Sequence, residues 1–71
     1  MDHASLALRL TEAEQDLRRT EGQIARQHNW ISKLDLGGRS SLAEREVLNT
    51  LHASHGAFVI ERDSLLRRMA R

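Results

Sequence analysis

Four branched aliphatic residues recur at seven-residue intervals in the first half of the chain: Leu10, Leu17, Ile24 and Ile31. Residues seven apart lie on the same side of an α-helix, so this spacing places one apolar stripe along a helix. The chain contains no proline, which leaves its four glycines as the only strong helix-weakening residues. The pattern therefore predicts one long helix before any turn.

The second half of the chain repeats this pattern. Leu51, Phe58 and Leu65 are seven apart, and a second series begins at Leu48 and ends at Met69. Two interleaved series with this spacing form the apolar side of a second helix. Both halves of the chain are therefore expected to be helical.

A pair of adjacent glycines separates the two stripes. Either Gly37 or Gly38 can adopt the positive φ that ends a helix, with Leu36 folding back over the last turn. Ser41 and Glu44 have the S-x-x-E spacing of a capping box, in which each side chain accepts a backbone N–H at the start of a helix. The segment is therefore interpreted as a tight turn between two helices.

The predicted fold is an all-α, antiparallel two-helix hairpin that forms a single domain over residues 1–71. The first helix is expected at about 3–35, the turn at 36–40 and the second helix at about 41–70. A chain of this size rarely builds a core that is stable by itself. Because it has no cysteine, disulfides and thiolate zinc sites are excluded, which leaves idealised helix packing, self-association or a partner protein.

The apolar residues cover a wider arc than one helix seam can bury, which is about 100°. We expect two hairpins to pack as a homodimer into a four-helix bundle, with a helical segment of another protein as the alternative partner. The predicted function is non-enzymatic protein–protein contact, for example as a regulatory adaptor. The predicted interface residues are Val47, Leu51, Phe58, Val59, Ile60, Leu66 and Trp30.

The histidines suggest a second function, a metal-binding bundle. The hairpin register places His28 beside His52, with His55 one turn further on, and imidazoles are common ligands of zinc and similar metals. No acidic residue completes this set, so the preferred interpretation is partly buried, hydrogen-bonded histidines, with a pH-sensitive interface as a further alternative. No metal and no cofactor is predicted.

The arginines suggest a third function, that of a nucleic-acid-associated accessory protein. Arg9, Arg67, Arg68 and Arg71 are the candidates, since all lie near the open end of the hairpin. Eleven basic and ten acidic residues give a net charge of only +1, which does not favour a polyanionic partner. The C-terminal arginines are explained by the negative end of the helix macrodipole.

Catalysis, a small-molecule substrate and membrane insertion are not expected. The glycine pair lacks the Lys-Ser/Thr continuation of a phosphate loop, and a two-helix hairpin offers no concave pocket of ligand size. No apolar run approaches the roughly 20 residues that span a bilayer, and the first residues lack the basic-then-apolar order of a signal peptide. The predicted location is the cytoplasm.

The run I-A-x-Q-x-x-x-I-x-x-L-x-x-x-G begins at Ile24 and ends at Gly38, and an alanine-rich helix that starts near Ala43 follows it. Over residues 18–66 this pattern resembles the short, uncharacterised helical-hairpin proteins of alphaproteobacteria and their relatives. The resemblance implies the same hairpin fold and a bacterial cytoplasmic setting. That family has no established activity, so the resemblance implies no site residues.

Overall fold

The computed structural model describes residues 2–70, and it consists of two antiparallel helices. Helix α1 spans His3–Leu36 and helix α2 spans Leu42–Met69, with no strand in the described part of the chain. The predicted all-α hairpin is confirmed, and both predicted helices agree with the observed bounds to within one residue at each end.

Helix α1 begins with a side-chain cap at Asp2. The backbone there is extended, and the carboxylate accepts the Ser5 backbone N–H at 2.7 Å. This satisfies one of the N–H groups that the first turn of a helix leaves without a partner. The same hydrogen bond, which favours the ionised carboxyl, lowers the pKa of Asp2 below its ordinary value.

Helix α1 ends in a Schellman motif built on the second glycine. Gly38 has a φ of 72°, its N–H donates to the Asp35 carbonyl at 3.2 Å, and the Arg39 N–H donates to the Leu34 carbonyl at 2.9 Å. Gly37 has an ordinary right-handed conformation, with a φ of −81°. The left-handed residue that ends the helix is therefore Gly38.

The prediction that Leu36 folds back over the last turn is wrong, because this side chain is 89% exposed. Leu34, two residues earlier, occupies the seam and is only 7% exposed. At 100° per residue, Leu36 lies about 200° around the helix from Leu34 and so points away from α2. Leu34, and not Leu36, is therefore the buried apolar residue in the last turn of α1.

The two helices contribute unequally to the core. Thr20 is among the buried residues of α1, and its hydroxyl donates to the Asp16 carbonyl at 2.7 Å. Helix α2 buries a single residue, Leu65, which is 1% exposed. The innermost cluster comprises Leu6, Ala13 and Leu65, with Leu10 and Met69 packed against it. The buried residues of α1 are Leu6, Ala13, Leu17, Thr20, Ile31 and Leu34.

The hairpin is a thin rod of 54 × 14 × 13 Å. Its radius of gyration is 16.3 Å, whereas a globular domain of this length has a radius of about 11 Å. Two helices in contact along one seam have no third element to cover their outer sides. All but one of the apolar side chains of α2 are therefore half-buried or exposed in the single chain.

Replacing Gly38 by alanine will destabilise the hairpin by about 1 kcal/mol, because an L-residue is strained at positive φ. Space is not the reason, since a Cβ at this position meets no atom within 4 Å. Gly37→Ala is the comparison at an ordinary φ; its Cβ would lie 3.3 Å from the Lys33 carbonyl oxygen, a tight contact, and its cost is expected to be smaller than that at Gly38. Urea unfolding followed by circular dichroism measures both effects. Equal effects at the two glycines would contradict the assignment of the helix-ending residue.

Candidate functional site

Four of the seven predicted interface residues lie on one side of the hairpin. Val47, Leu51 and Phe58 follow one another on the same side of α2, and Trp30 lies on the matching side of α1. Val47 and Trp30 are 49% and 48% exposed, while Leu51 and Phe58 are half-buried. We call these four residues the groove face.

The groove face stays partly exposed because the α1 residues that face it are small or polar. Ala13, Thr20 and Gln27 are seven apart and face this side of α2. None of them is large enough to cover Leu51 or Phe58. Small residues opposite large ones allow the helices to approach closely along the seam, but they leave the edges of the large side chains open.

A shallow groove opens at the turn-proximal part of the groove face. Its volume is about 250 Å³, and it is open to solvent. The Gln27 side-chain amide donates to the Glu44 carbonyl at 2.9 Å, which joins the two walls at one end. The groove has the size and polarity to receive a protruding side chain of another helix. Its lining residues are Gln23, Arg26, Gln27, Val47 and Leu51.

The other three predicted interface residues lie elsewhere on the hairpin. Val59 and Leu66 are seven apart on the opposite edge of α2, in the same series as His52. Ile60 points directly away from α1 and is 70% exposed. The seven residues therefore do not form one continuous surface, because they are spread around most of the circumference of α2.

The histidine candidates are brought together in part. The rings of His28 and His52 meet across the two helices with a centroid distance of 6.2 Å and an interplanar angle of 65°. His55 is half-buried and does not join them in a ligand set. Within residues 2–70, no group of three or more His, Asp or Glu side chains has the arrangement of a metal site.

Acidic residues lie among the arginine candidates in the described part of the chain. Arg9 lies 3.6 Å from the Glu61 carboxylate, and Arg67 and Arg68 are exposed in the last turn of α2. Arg71 lies outside the described residues. Negative charge is thus interleaved with positive charge along the surface.

The Arg62 side chain forms no ion pair with an acidic residue of α1. It pairs instead with Asp63, its neighbour on the same helix, at 3.1 Å. The adjacent carboxylate is reached without crossing the apolar seam. Arg62 therefore contributes no polar link between the helices.

The predicted capping box of Ser41 and Glu44 does not form. Ser41 occupies the N-cap position, but its side chain accepts no backbone N–H, since its φ and ψ are −114° and 16° and not extended. Its hydroxyl donates to the Asp35 carboxylate at 2.7 Å and accepts from the Arg45 guanidinium at 2.9 Å. Arg45 also pairs with Asp35 at 2.8 Å, which closes a three-residue ring around the turn.

The sequence contained a signal for this ring that the periodicity did not reveal. Asp35 lies in the last turn of α1 and Arg45 in the first turn of α2, and each charge is at the end of its helix that the macrodipole disfavours. Two unfavourable charges on either side of a short turn can neutralise each other. Their positions therefore indicate a contact across the turn.

Among residues 2–70, neither helix has the uninterrupted apolar length that a bilayer span requires. Comparisons with protein-family models, with curated proteins and with solved structures each found no match to this chain. The resemblance to alphaproteobacterial hairpin proteins thus stays a prediction.

A double-mutant cycle at Asp35 and Arg45 will give a favourable coupling energy of about 0.5 kcal/mol, the size expected for a half-exposed ion pair. Each alanine variant and the double variant are unfolded in urea at low and at high salt. The coupling will decrease at high salt because the pair is accessible to solvent. A coupling energy of zero at low salt would show that the Asp35–Arg45 pair does not stabilise the turn.

Proposed function

We propose that this chain is a dimerising hairpin whose function is protein–protein contact. Two copies pack groove face against groove face and form an antiparallel four-helix bundle. The observation that carries this proposal is that α2 buries only Leu65, although apolar residues occur along its whole length. A second hairpin would cover the half-buried side chains that α1 leaves open.

The exposed area supports a second copy as the occupant. The single chain exposes 5179 Å², whereas a compact globular monomer of 71 residues exposes about 4,500 Å². The excess of about 700 Å² is close to the roughly 800 Å² that each partner buries in a standard interface. One hairpin-sized partner is therefore sufficient to cover it.

Twofold symmetry gives a specific arrangement of the groove faces. Ser54 lies between Leu51 and Phe58 on the same side of α2, near the middle of the apolar series. A twofold axis at this level brings Phe58 of one copy toward Val47 and Trp30 of the other. Tryptophan and phenylalanine are the residue types that most often anchor such contacts.

The dimer leaves the opposite edge and the back of α2 accessible. Val59, Leu66 and Ile60 would then remain available for a further protein, which is the arrangement that a regulatory adaptor needs. A non-enzymatic role and a cytoplasmic location belong to the same proposal. The nucleic-acid alternative has weaker support, because carboxylates lie beside Arg9, Arg19 and Arg45.

Val47→Glu will weaken self-association at least about tenfold, equivalent to 1.4 kcal/mol, because a charge would be buried between the two copies. Ile60→Glu is the matched control, since it makes the same change on the opposite side of α2, and it will leave the mass distribution unchanged. Sedimentation equilibrium from micromolar to millimolar concentration, with circular dichroism to verify helicity, measures both effects.

A cysteine placed at Ser54 tests the position of the axis, because the natural chain has no cysteine. Oxidised Ser54→Cys will yield a disulfide-linked dimer, while Ser32→Cys, on the outer side of α1, will not. A folded monomer at every concentration would disprove self-association and would assign the groove face to a helix of another protein. If Ile60→Glu caused dissociation and Val47→Glu did not, the interface would lie on the Ile60 side of α2 and not on the groove face.

A further inference from the structure

His28 and His52 form a pair of accessible imidazoles that bridges the two helices. Their ring centroids are 6.2 Å apart, the rings meet edge to face, and both residues are exposed. Within residues 2–70, neither ring forms a hydrogen bond or an ion pair with a protein group. Their ring nitrogens are therefore not committed to other protein partners.

The separation of the two rings fits a shared metal ion. A ring nitrogen lies about 2.0–2.1 Å from a bound zinc ion, which places each ring centre about 3.2 Å from the metal. Two imidazoles on one ion then have centres about 5 to 6.5 Å apart, for ligand angles between tetrahedral and linear. The observed 6.2 Å lies within this range, toward its linear end, and both side chains must rotate to turn one nitrogen of each ring toward a common point.

The surroundings of the pair leave the site open and free of competing charges. The residues three and four positions away on both helices are uncharged. The nearest charges in the same series are Glu21, Asp35 and Arg45, each two turns away, and the last two are paired with each other. A Cβ placed at Gly56, four residues after His52, meets no atom within 4 Å, so water ligands have space beside the pair.

We propose that His28 and His52 bind one divalent transition-metal ion of the copper, nickel and zinc class. Imidazole nitrogen suits these ions, whereas magnesium and calcium prefer oxygen ligands. The described residues supply no third ligand, so water completes the coordination and the affinity is moderate. The site lies on the opposite edge of the hairpin from the groove face and does not depend on dimerisation.

Metal binding at this site links α1 to α2 about two helical turns from the charge ring at the covalent turn. An ion that binds the folded hairpin and not the unfolded chain stabilises the fold by mass action. The ion therefore acts as a reversible clamp on the hairpin.

Thermal unfolding of the tag-free chain in the presence of Ni²⁺, Cu²⁺ or Zn²⁺ tests this proposal. Mg²⁺ serves as the negative control. At neutral pH, millimolar Ni²⁺ is expected to raise the melting temperature by on the order of 5 °C relative to a chelator. Magnesium will have no effect.

Four single alanine variants identify the ligands. His28→Ala and His52→Ala will each abolish the increase in melting temperature. Neither substitution is expected to destabilise the fold, because both side chains are exposed. His3→Ala and His55→Ala are the matched controls and will retain it. An increase that survives in His28→Ala or His52→Ala would overturn the assignment, as would the absence of any increase in the natural chain.

Isothermal titration calorimetry with Ni²⁺ measures the stoichiometry. One ion per chain, lost in His28→Ala, supports a clamp within one hairpin. One ion per two chains would show that the histidines join separate hairpins, which would overturn the proposal.

Discussion

The geometry of two helices that touch along a single seam determines the other properties of this chain. One seam can cover one stripe on each helix, and α1 uses it more fully than α2, which buries only Leu65. The remaining apolar side chains of α2 stay at the edges, because the small α1 residues opposite them do not extend far enough. The rod-like shape, the open groove and the proposal of a second copy all follow from this imbalance.

The sequence was sufficient to predict the two helices and the turn, because both are determined by local sequence. Seven-residue spacing defines a helix side, and a glycine pair without any proline leaves one place for the chain to reverse. The sequence did not predict the hydrogen bonds of Ser41. Its hydroxyl donates across the turn to Asp35 and accepts no backbone N–H of its own helix. A local motif such as S-x-x-E does not show which competing partner the folded chain brings within reach.

The seven predicted interface residues show a related limit. Hydrophobicity identified them as apolar and accessible, but their angular positions separate Val47 from Ile60 by roughly half the helix circumference. Only the packing of α1 determines which side stays open. The edge that carries His28 and His52 and the groove face thus occupy opposite sides of one thin rod, so the two proposed sites do not overlap.

The charge ring at the turn also bears on whether neighbouring chains can exchange arms. If the turn straightened into one continuous helix, two such chains could pair as a swapped assembly. In that helix Asp35 and Arg45, ten residues apart, would be separated by about 15 Å, and both charges would lose their partner. Gly38 would also leave the left-handed conformation that it adopts in the hairpin. The closed loop thus favours each chain pairing its own two helices over exchanging one of them with a neighbouring chain.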